Sequence, residues 1–261
     1  MGEQLGFMGA GEYVIDAYYR HMVKRISTIR RKLEEVRRSR ASHIMKRKES
    51  GVPEVVITGY TSAGKTTLFN RLVSENKFVD GKPFATLETY SRALDLWGKK
   101  VVLTDTIGFI DDLPPVLIES FYSTLQEVVE ADTILLVIDG SEPQEEIARK
   151  LKTSVETLRE VGVDRDKIIP VVNKVDKIRM EEVKNLRGLI GRYFNWFVPV
   201  SALTGFGVET LKVVLFFKVP GYSIVKVVGE DGVRGLRIGD VTFVAVPSRG
   251  AEVREAGITY I

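Results

Sequence analysis

The fold is decided by residues 55–72, VVITGYTSAGKTTLFNRL. The first four are β-branched and predict a strand, and the last six fit a helix. Between them, Gly59–Thr66 fits G-x-x-x-x-G-K-[ST], in which the N–H groups of a glycine-rich turn and a helix N-terminus surround phosphate oxygens. Lys65 would reach the β- and γ-phosphates, and the Thr66 hydroxyl would coordinate Mg²⁺. The sequence therefore predicts a P-loop nucleotide-binding domain.

A second motif, Asn173-Lys174-Val175-Asp176, follows a predicted strand and fits N-K-x-D. The Asp176 carboxylate can accept from guanine N1–H and from the exocyclic amine, a donor pair that adenine lacks. Asn173 can bridge the base and the P-loop, while the stem of Lys174 packs over the ring. After the next strand, the Ala202 N–H of Ser201-Ala202-Leu203 can meet guanine O6. These residues favour guanine, and an ATP-dependent kinase would require N-K-x-D to be a coincidence.

A third motif, Asp105-Thr106-Ile107-Gly108, ends an apolar strand and fits D-x-x-G. Asp105 would hold Mg²⁺ through water, and the Gly108 N–H would bond the γ-phosphate. The polar stretch 74–90 has no clear period, and a loop of that length is typically functional. Within it, spacing favours Thr86 as the switch threonine that completes the contact with Mg²⁺ and the γ-phosphate, with Thr89 as the competitor.

Phe109 follows Gly108, where Ras-like proteins carry the glutamine that positions the attacking water. A phenyl ring can neither orient nor polarise water, so no catalytic residue is assigned and slow intrinsic turnover is expected. Arg92 and Lys77 are candidates for supplying charge, but activation by a partner is favoured. The predicted metal ligands are Thr66, Thr86 and, through water, Asp105. The predicted nucleotide-binding residues are Gly59, Tyr60, Thr61, Ser62, Ala63, Gly64, Lys65, Thr66, Thr67, Phe84, Ala85, Thr86, Leu87, Glu88, Asp105, Thr106, Ile107, Gly108, Asn173, Lys174, Val175, Asp176, Ser201, Ala202 and Leu203.

Short β-branched runs alternate with helical patterns from Val55 onward, which predicts an α/β fold. The expected architecture is a P-loop three-layer sandwich around a mostly parallel six-stranded sheet, preceded by a long basic helical arm and followed by a small β-rich appendage. The predicted strands are Val55–Thr58, Ala93–Trp97, Val101–Asp105, Thr133–Asp139, Ile168–Val172 and Phe197–Val200. The predicted helices are Lys65–Ser74, Val116–Glu130, Glu145–Glu160, Glu181–Phe194 and Val208–Phe217.

The predicted arm carries most of the positive charge. Residues 12–49 hold 12 Lys/Arg against 5 Asp/Glu, a local charge of +7 in a chain whose net charge is +3. An apolar seam spaced 4-3-4-3-4-3 predicts a long amphipathic helix that stops before Gly51 and Pro53. The seam consists of Ile15, Tyr19, Met22, Ile26, Ile29, Leu33 and Val36. The helix either docks on its own domain, with its charges solvated, or meets a helix of another domain, another copy or a different molecule.

After Pro220-Gly221 the chain is rich in Gly and Val, and its alternation predicts a small β-rich segment. Strands are expected near Ser223–Val228 and Val241–Val246, with turns at 230–232 and 249–250. The predicted domains are therefore 1–50 (glycine-rich segment and basic helical arm), 51–218 (GTP-binding domain) and 219–261 (β-rich segment).

The composition excludes several classes of protein. With no cysteine and two histidines, disulfides, thiolate chemistry and multi-histidine metal centres are excluded. The 44% hydrophobic content suits a sizeable core. No apolar run approaches the roughly 18 residues of a membrane span, and the N-terminus has no signal-peptide pattern. A soluble cytoplasmic protein with no membrane partner is expected.

Together, these motifs resemble the HflX GTPases, a branch of the translation-factor-related class. The resemblance rests on Val56–Asn70, Phe84–Glu88, Val172–Asp176 and above all 104–126, where DTIGFIDDLP leads into a helix containing F-x-x-T-L. The basic helix, with Gly9-Ala10-Gly11-Glu12 ahead of it, is similar to the family's glycine-rich linker and helical arm, so the resemblance covers roughly residues 9–217.

The resemblance implies that Thr86 is the switch-I magnesium threonine. It also implies GTP hydrolysis coupled to binding of the large ribosomal subunit, in a family associated with splitting stalled or idle ribosomes. A basic arm suits ribosomal RNA, because RNA phosphates attract Lys and Arg. The alternative is a nucleotide-dependent RNA- or ribosome-binding scaffold with negligible catalysis.

Three features depart from the family pattern. Only about ten residues precede the arm, so the family's N-terminal domain is expected to be missing, and the arm's apolar seam to self-associate or to be left without that domain. Ser62 stands where the family usually has an asparagine. In related GTPases that asparagine helps hold an activating K⁺, so K⁺ stimulation is in doubt for this chain. The segment from Pro220 matches no family pattern.

Overall fold

The structure is a computed structural model that describes part of the chain. It divides into two compact units, Met1–Lys46 and Arg47–Ile261. The described residues are 18–29, 31–32, 34–35, 51–73, 90–106, 108, 127–228, 234–239, 241–248 and the backbone of 259–260.

The first unit contains a helix, α1, over the described residues 18–29, 31–32 and 34–35. The predicted seam residues Tyr19, Met22, Ile26 and Ile29 lie on it and are 38–68% exposed. Ile15, Leu33 and Val36, the other seam residues, lie outside the described residues. Arg31 and Glu35, one turn apart, form an exposed ion pair of 3.8 Å.

The second unit is built on a six-stranded sheet in the order β2-β3-β1-β4-β5-β6. β1 lies parallel to β3 and β4, and β4, β5 and β6 continue in parallel, whereas β2 is antiparallel to β3. The predicted mostly parallel six-stranded α/β sheet is confirmed. The strands are β1 (Glu54–Gly59), β2 (Tyr90–Leu96), β3 (Lys99–Asp105), β4 (Thr133–Asp139), β5 (Ile168–Asn173) and β6 (Val198–Pro199).

Helices cover both faces of this sheet, as parallel strands with crossover connections require. Residues 127–130 are also helical and are the described part of the predicted helix Val116–Glu130. No helix in the described part of the chain is both long and apolar enough to cross a membrane. The helices are α2 (Lys65–Val73), α3 (Gln144–Glu160), α4 (Met180–Ile190) and α5 (Val208–Lys218).

Most element limits agree with the predictions to within about two residues, but β2 begins at Tyr90 rather than Ala93, and α4 and β6 are shorter than predicted. α4 ends at Ile190 rather than Phe194, and Gly191 caps it by donating to the Arg187 carbonyl (2.8 Å). β6 covers only Val198–Pro199 of the predicted Phe197–Val200. Val200 N–H still donates to the Val172 carbonyl (2.8 Å), so the chain keeps its course beside β5.

The core lies on both faces of the sheet because β-strand side chains alternate. On β1, Val55 and Ile57 pack with α2 and α5, whereas Val56 packs on the opposite face with α3 and α4. All six residues of β1 are buried. The central strand therefore anchors the P-loop that follows it.

The C-terminal segment forms a four-stranded sheet in the order β10-β7-β9-β8, and its β7–β9, β8–β9 and β10–β7 pairs are antiparallel. β7 and β9 lie within one residue of the predicted strands, whereas β8 and β10 were not predicted because they have three and two residues. The predicted turns 230–232 and 249–250 lie outside the described residues. Leu236 and Phe243 pack against the core formed with α2 and α5. The strands are β7 (Tyr222–Val228), β8 (Leu236–Ile238), β9 (Val241–Pro247) and β10 (Thr259–Tyr260).

Candidate functional site

The sequence motifs converge at the carboxyl ends of parallel strands. The P-loop follows β1, Asp105 ends β3, Asn173 ends β5, and Ser201 follows β6. This edge of an open α/β sheet is where ligands usually bind. Hydrogen bonds link the P-loop to Asp105 and to Asn173, and link Asn173 to the loop after β6, so these segments form one connected site.

The P-loop needs glycine at both ends of its motif. Gly59 has φ 139°, and a Cβ there would lie 2.2 Å from the Val137 carbonyl oxygen of β4. Gly64 has φ 89°, and its Cβ would lie 2.3 Å from Asn173 Nδ2. Ser62 also has a positive φ of 64°, a left-handed conformation that is uncommon for a residue other than glycine. The P-loop is therefore a tight turn that packs closely against Val137 of β4 and against Asn173 of the N-K-x-D motif.

Lys65 begins α2, and its side chain folds back over the P-loop. It is buried, and Nζ donates to the carbonyls of Gly59 (3.1 Å) and Tyr60 (2.7 Å). Burial lowers the pKa of Lys65 to about 8, and the nearby charge of Asp105 partly offsets that effect. Because a neighbouring phosphate favours the ammonium form, Lys65 is expected to gain a proton when an anion binds near or above pH 8.

Thr66 and Asp105 form a second polar pair beside Lys65. Thr66 Oγ1 donates to Asp105 Oδ2 (2.8 Å), which joins α2 to the end of β3. Thr106 is anchored in turn, since its hydroxyl donates to the Ile57 carbonyl (2.8 Å). A hydroxyl and a carboxylate are the hard oxygen ligands that Mg²⁺ prefers, so these residues fit a magnesium site.

Gly108 lies directly against the P-loop. A Cβ at this position would come within 2.3 Å of Lys65 Nζ and 2.9 Å of the Thr61 nitrogen. Only glycine therefore lets the D-x-x-G segment approach this closely. Phe84–Glu88, including Thr86, together with Ile107, Phe109 and Lys77, lie outside the described residues.

Asn173 connects the phosphate and base motifs. It is buried, its Nδ2 donates to the Ala63 carbonyl of the P-loop (2.8 Å), and its Oδ1 accepts the Ala202 N–H (2.9 Å). The predicted bridge to the P-loop is present, and it extends to the loop after β6. The Ala202 N–H, predicted as the guanine O6 donor, is directed at this asparagine.

Lys174 and Asp176 lie at the rim of the site. Lys174 has φ 64°, and its Nζ donates to Asp139 Oδ2 (2.6 Å) at the end of β4. Burial alone would raise the pKa of the Asp139 carboxyl, but hydrogen bonds from Lys174 and Ser141 outweigh it and hold the pKa below its usual value. Asp176 is exposed in a short 3₁₀ turn.

Two residues of this region, Asp139 and Arg71, are not among those predicted from the sequence. Asp139 could have been found by its position, because it ends a parallel strand beside the N-K-x-D strand. Arg71 lies in the last turn of α2 and donates to the carbonyls of Ala202 and Leu203, a contact between distant segments with no local signal. Arg92, a candidate source of charge, is exposed on β2, and its Nη1 donates to the Ser91 carbonyl (3.1 Å).

Two protein families match this chain. One, described as "50S ribosome-binding GTPase", matches residues 54–174, and the other, "GTP-binding GTPase Middle Region", matches residues 1–47. Curated relatives are GTPase HflX of Thermofilum pendens (46% identical over 210 residues, 80% of this chain and 50% of the relative) and of Hyperthermus butylicus (44% over 213 residues, 79% and 57%). The chain spans 50–57% of the length of these two relatives.

Among solved structures, the chain is similar to a GTP-binding protein from Sulfolobus solfataricus in complex with GDP. The match has a TM-score of 0.54 and 29% identity and covers 77% of this chain and 62% of that one. A single-residue variant of Aquifex aeolicus Era bound to GDP·AlF4⁻ shares the fold, with 22% identity and a TM-score of 0.56 over 65% of this chain and 57% of that one.

Proposed function

This chain belongs to the HflX family of GTPases, and from that premise we propose that residues 51–218 bind GTP with Mg²⁺ and hydrolyse it slowly. The main support for the proposal is the pair of hydrogen bonds made by the Asn173 side chain. Its amide donates to the P-loop carbonyl of Ala63 (2.8 Å) and accepts from the Ala202 N–H (2.9 Å). One buried side chain thus ties a phosphate-binding turn to a base-binding loop. The domain limits remain the predicted 1–50, 51–218 and 219–261.

Recognition of guanine rests on three groups at the rim. The exposed Asp176 carboxylate accepts from N1–H and the exocyclic amine, and the Lys174 stem, held by its bond to Asp139, covers one face of the ring. Guanine O6 shares the Ala202 N–H with Asn173 Oδ1. Adenine offers neither the N1–H donor nor an acceptor at position 6, so it leaves these groups unpaired.

Phosphate binding uses the P-loop and Lys65. The lysine exchanges the carbonyls of Gly59 and Tyr60 for β- and γ-phosphate oxygens, and the amides at the start of α2 supply further donors. Thr66 and Asp105, whose side-chain oxygens lie 2.8 Å apart, would hold Mg²⁺, Asp105 through a water, with Thr86 as the proposed third protein group. When bound, Mg²⁺ would neutralise developing charge on the phosphate oxygens.

Hydrolysis requires a water in line with the γ-phosphate, and Phe109 cannot orient it. This chain's residues therefore supply positioning and positive charge, while the water-positioning group comes from a partner. Turnover by the protein alone is expected below about 1 min⁻¹, in the range of slow intrinsic GTPases.

The proposed partner is the large ribosomal subunit, with a role in splitting, rescue or recycling of ribosomes in the cytoplasm. The family description "50S ribosome-binding GTPase" over residues 54–174 supports this, as does the +7 charge of residues 12–49. Basic side chains neutralise RNA phosphates, so binding is expected to weaken as salt rises.

Competition binding tests the nucleotide proposal. Displacement of a fluorescent GDP by GTP, GDP, ATP and ADP is expected to show strong preference for guanine, and Asp176→Asn is expected to lose it while keeping its fold. Arg187→Ala, an exposed arginine in the last turn of α4, is the matched control. Equal displacement by ADP and GDP in the unmodified chain would refute guanine recognition.

Cosedimentation tests the ribosomal partner. The full chain, and a chain lacking residues 12–49, are spun with isolated large subunits in GTP, GDP or a non-hydrolysable analogue. Binding that depends on nucleotide state and weakens without the arm is expected for a switch. Binding that is insensitive to nucleotide, with no hydrolysis, would favour the alternative of an RNA- or ribosome-binding scaffold.

A further inference from the structure

Arg71 connects the P-loop helix to the loop after β6. It lies in the last turn of α2, its Nε donates to the Ala202 carbonyl (3.1 Å), and its Nη2 donates to the Leu203 carbonyl. Two consecutive carbonyls of one loop therefore meet a single guanidinium. Only arginine has a planar fork of donors suited to this arrangement.

The Ala202 residue is held from two opposite partners. Its N–H donates to Asn173 Oδ1 (2.9 Å), while its carbonyl accepts from Arg71. A trans peptide is planar, so fixing the Ala202 carbonyl also fixes the direction of the Leu203 N–H. Asn173 thus orients one amide of this loop, and Arg71 orients the next.

The side chains at the tip of this loop contribute little anchoring. Leu203 is 68% exposed and Phe206 is 57% exposed. A Cβ at Gly205 would lie 3.9 Å from the Arg71 guanidinium, so the loop backbone passes close over this group. Polar contacts, rather than burial of Leu203 or Phe206, therefore hold the tip in place.

We propose that Arg71 is a positioning residue for guanine recognition, which sets the loop amides at 202–203 in register with guanine O6 without touching the nucleotide. This inference rests on the proposed function of guanine binding. α2 carries Lys65 at its start and Arg71 six residues later, a rise of roughly 9 Å. One short helix thereby fixes the spacing between the phosphate site and the O6-reading loop.

The test compares three ligands that differ at single positions of the base. GDP carries both the exocyclic amine and O6. IDP lacks the exocyclic amine, which Asp176 would accept from, whereas 6-thio-GDP has sulfur, a weak acceptor, in place of O6. Dissociation constants are measured for the full chain, Arg71→Ala, Arg71→Lys and the control Arg187→Ala. Thermal melting of each variant reports folding.

Arg71→Ala is expected to raise the dissociation constants of GDP and IDP about tenfold, and that of 6-thio-GDP less than about threefold. The difference is expected because Arg71 affects binding only by orienting the amides that contact O6. Arg71→Lys, with one donor group in place of a fork, is expected to recover part of the loss. Arg187→Ala is expected to match the unmodified chain.

Equal weakening of all three ligands by Arg71→Ala would show a merely structural role and overturn the inference, as would unchanged GDP binding. If Arg71→Ala does not fold, Arg71→Lys decides by the same comparison of ligands. If the unmodified chain binds ADP as well as GDP, the proposed function itself fails and the inference fails with it, an outcome distinct from a failure at Arg71 alone.

Discussion

Protonation of Lys65 is expected to link nucleotide affinity to pH. Burial lowers the pKa of Lys65 from 10.5 to about 8 while the amine is held by the carbonyls of Gly59 and Tyr60. A phosphate beside the amine favours the ammonium form and raises that pKa. Nucleotide binding near or above pH 8 must therefore take up a proton.

The size of the change in GDP affinity with pH follows from the Lys65 pKa of about 8. At pH 7 about nine-tenths of the free protein carries charged Lys65, and at pH 9 about one-tenth does. If the ammonium form alone binds phosphate tightly, the affinity for GDP falls about tenfold from pH 7 to pH 9, or roughly 1.4 kcal/mol. At pH 8 the expected uptake is about half a proton per GDP.

Calorimetric titration with GDP at pH 8, in two buffers of different ionisation enthalpy, counts these protons. Lys65→Ala is expected to bind GDP more weakly and to take up none of them, and guanosine, which lacks phosphate, provides a second control. Proton uptake near zero in the unmodified chain, or equal uptake in Lys65→Ala, would show that Lys65 does not gain a proton when GDP binds.

Three further predictions follow from buried polar contacts. Asn173→Ala is expected to lower the free energy of unfolding and to weaken GDP binding, each by about 1–3 kcal/mol, because it leaves the Ala63 carbonyl and the Ala202 N–H without their partner. Scanning and titration calorimetry measure the two effects, and unchanged GDP affinity would contradict this expectation. Thr66→Ala is expected to bind GDP equally with Mg²⁺ or EDTA, whereas the unmodified chain binds more tightly with Mg²⁺; a retained Mg²⁺ effect would argue against this ligand. Lys99→Met is expected to destabilise the fold by about 1–3 kcal/mol in urea titrations at pH 7, because Lys99 donates to the carbonyls of Phe216 and Val219 at the end of α5; a variant as stable as the parent would contradict it.

Lys99 also adds a pH dependence to folding. Burial lowers its pKa from 10.5 to about 8, so between these values the unfolded chain binds more protons than the folded chain. Stability is therefore expected to rise with pH across that window, and this rise is smaller in Lys99→Met, which lacks the group. Lys65 contributes in the same direction when no nucleotide is bound.

Local pattern predicted the central sheet and most helices, because buried β-branched strands and periodic helices leave a strong signal. Short elements were missed, such as β8, since three residues carry no period. The P-loop and Asn173 were predicted because their chemistry depends on residue type at fixed spacing. The burial of Lys99 could not be predicted from local pattern. A lysine at the start of a strand suggests exposure, and the carbonyls to which Lys99 donates lie more than 100 residues away in the sequence.

The same limit applies to Arg71. Its type and position on α2 are unremarkable in sequence, and its function depends on a loop about 130 residues later that the fold brings alongside. Contacts between distant segments require the tertiary structure, whereas motifs that bind a fixed ligand group do not. The Ala202 N–H is an example of both cases: its role as a donor to guanine is predicted by the motif, but its hydrogen bond to Asn173 is visible only in the structure.

The proposed GTPase function is tested by phosphate release from GTP, measured for the purified chain alone and with isolated large ribosomal subunits. Release below about 1 min⁻¹ is expected from the chain alone, with stimulation of at least about tenfold by large subunits and no comparable release from ATP. Hydrolysis of ATP at the same rate as GTP, or no GTP hydrolysis under either condition, would contradict the proposed function.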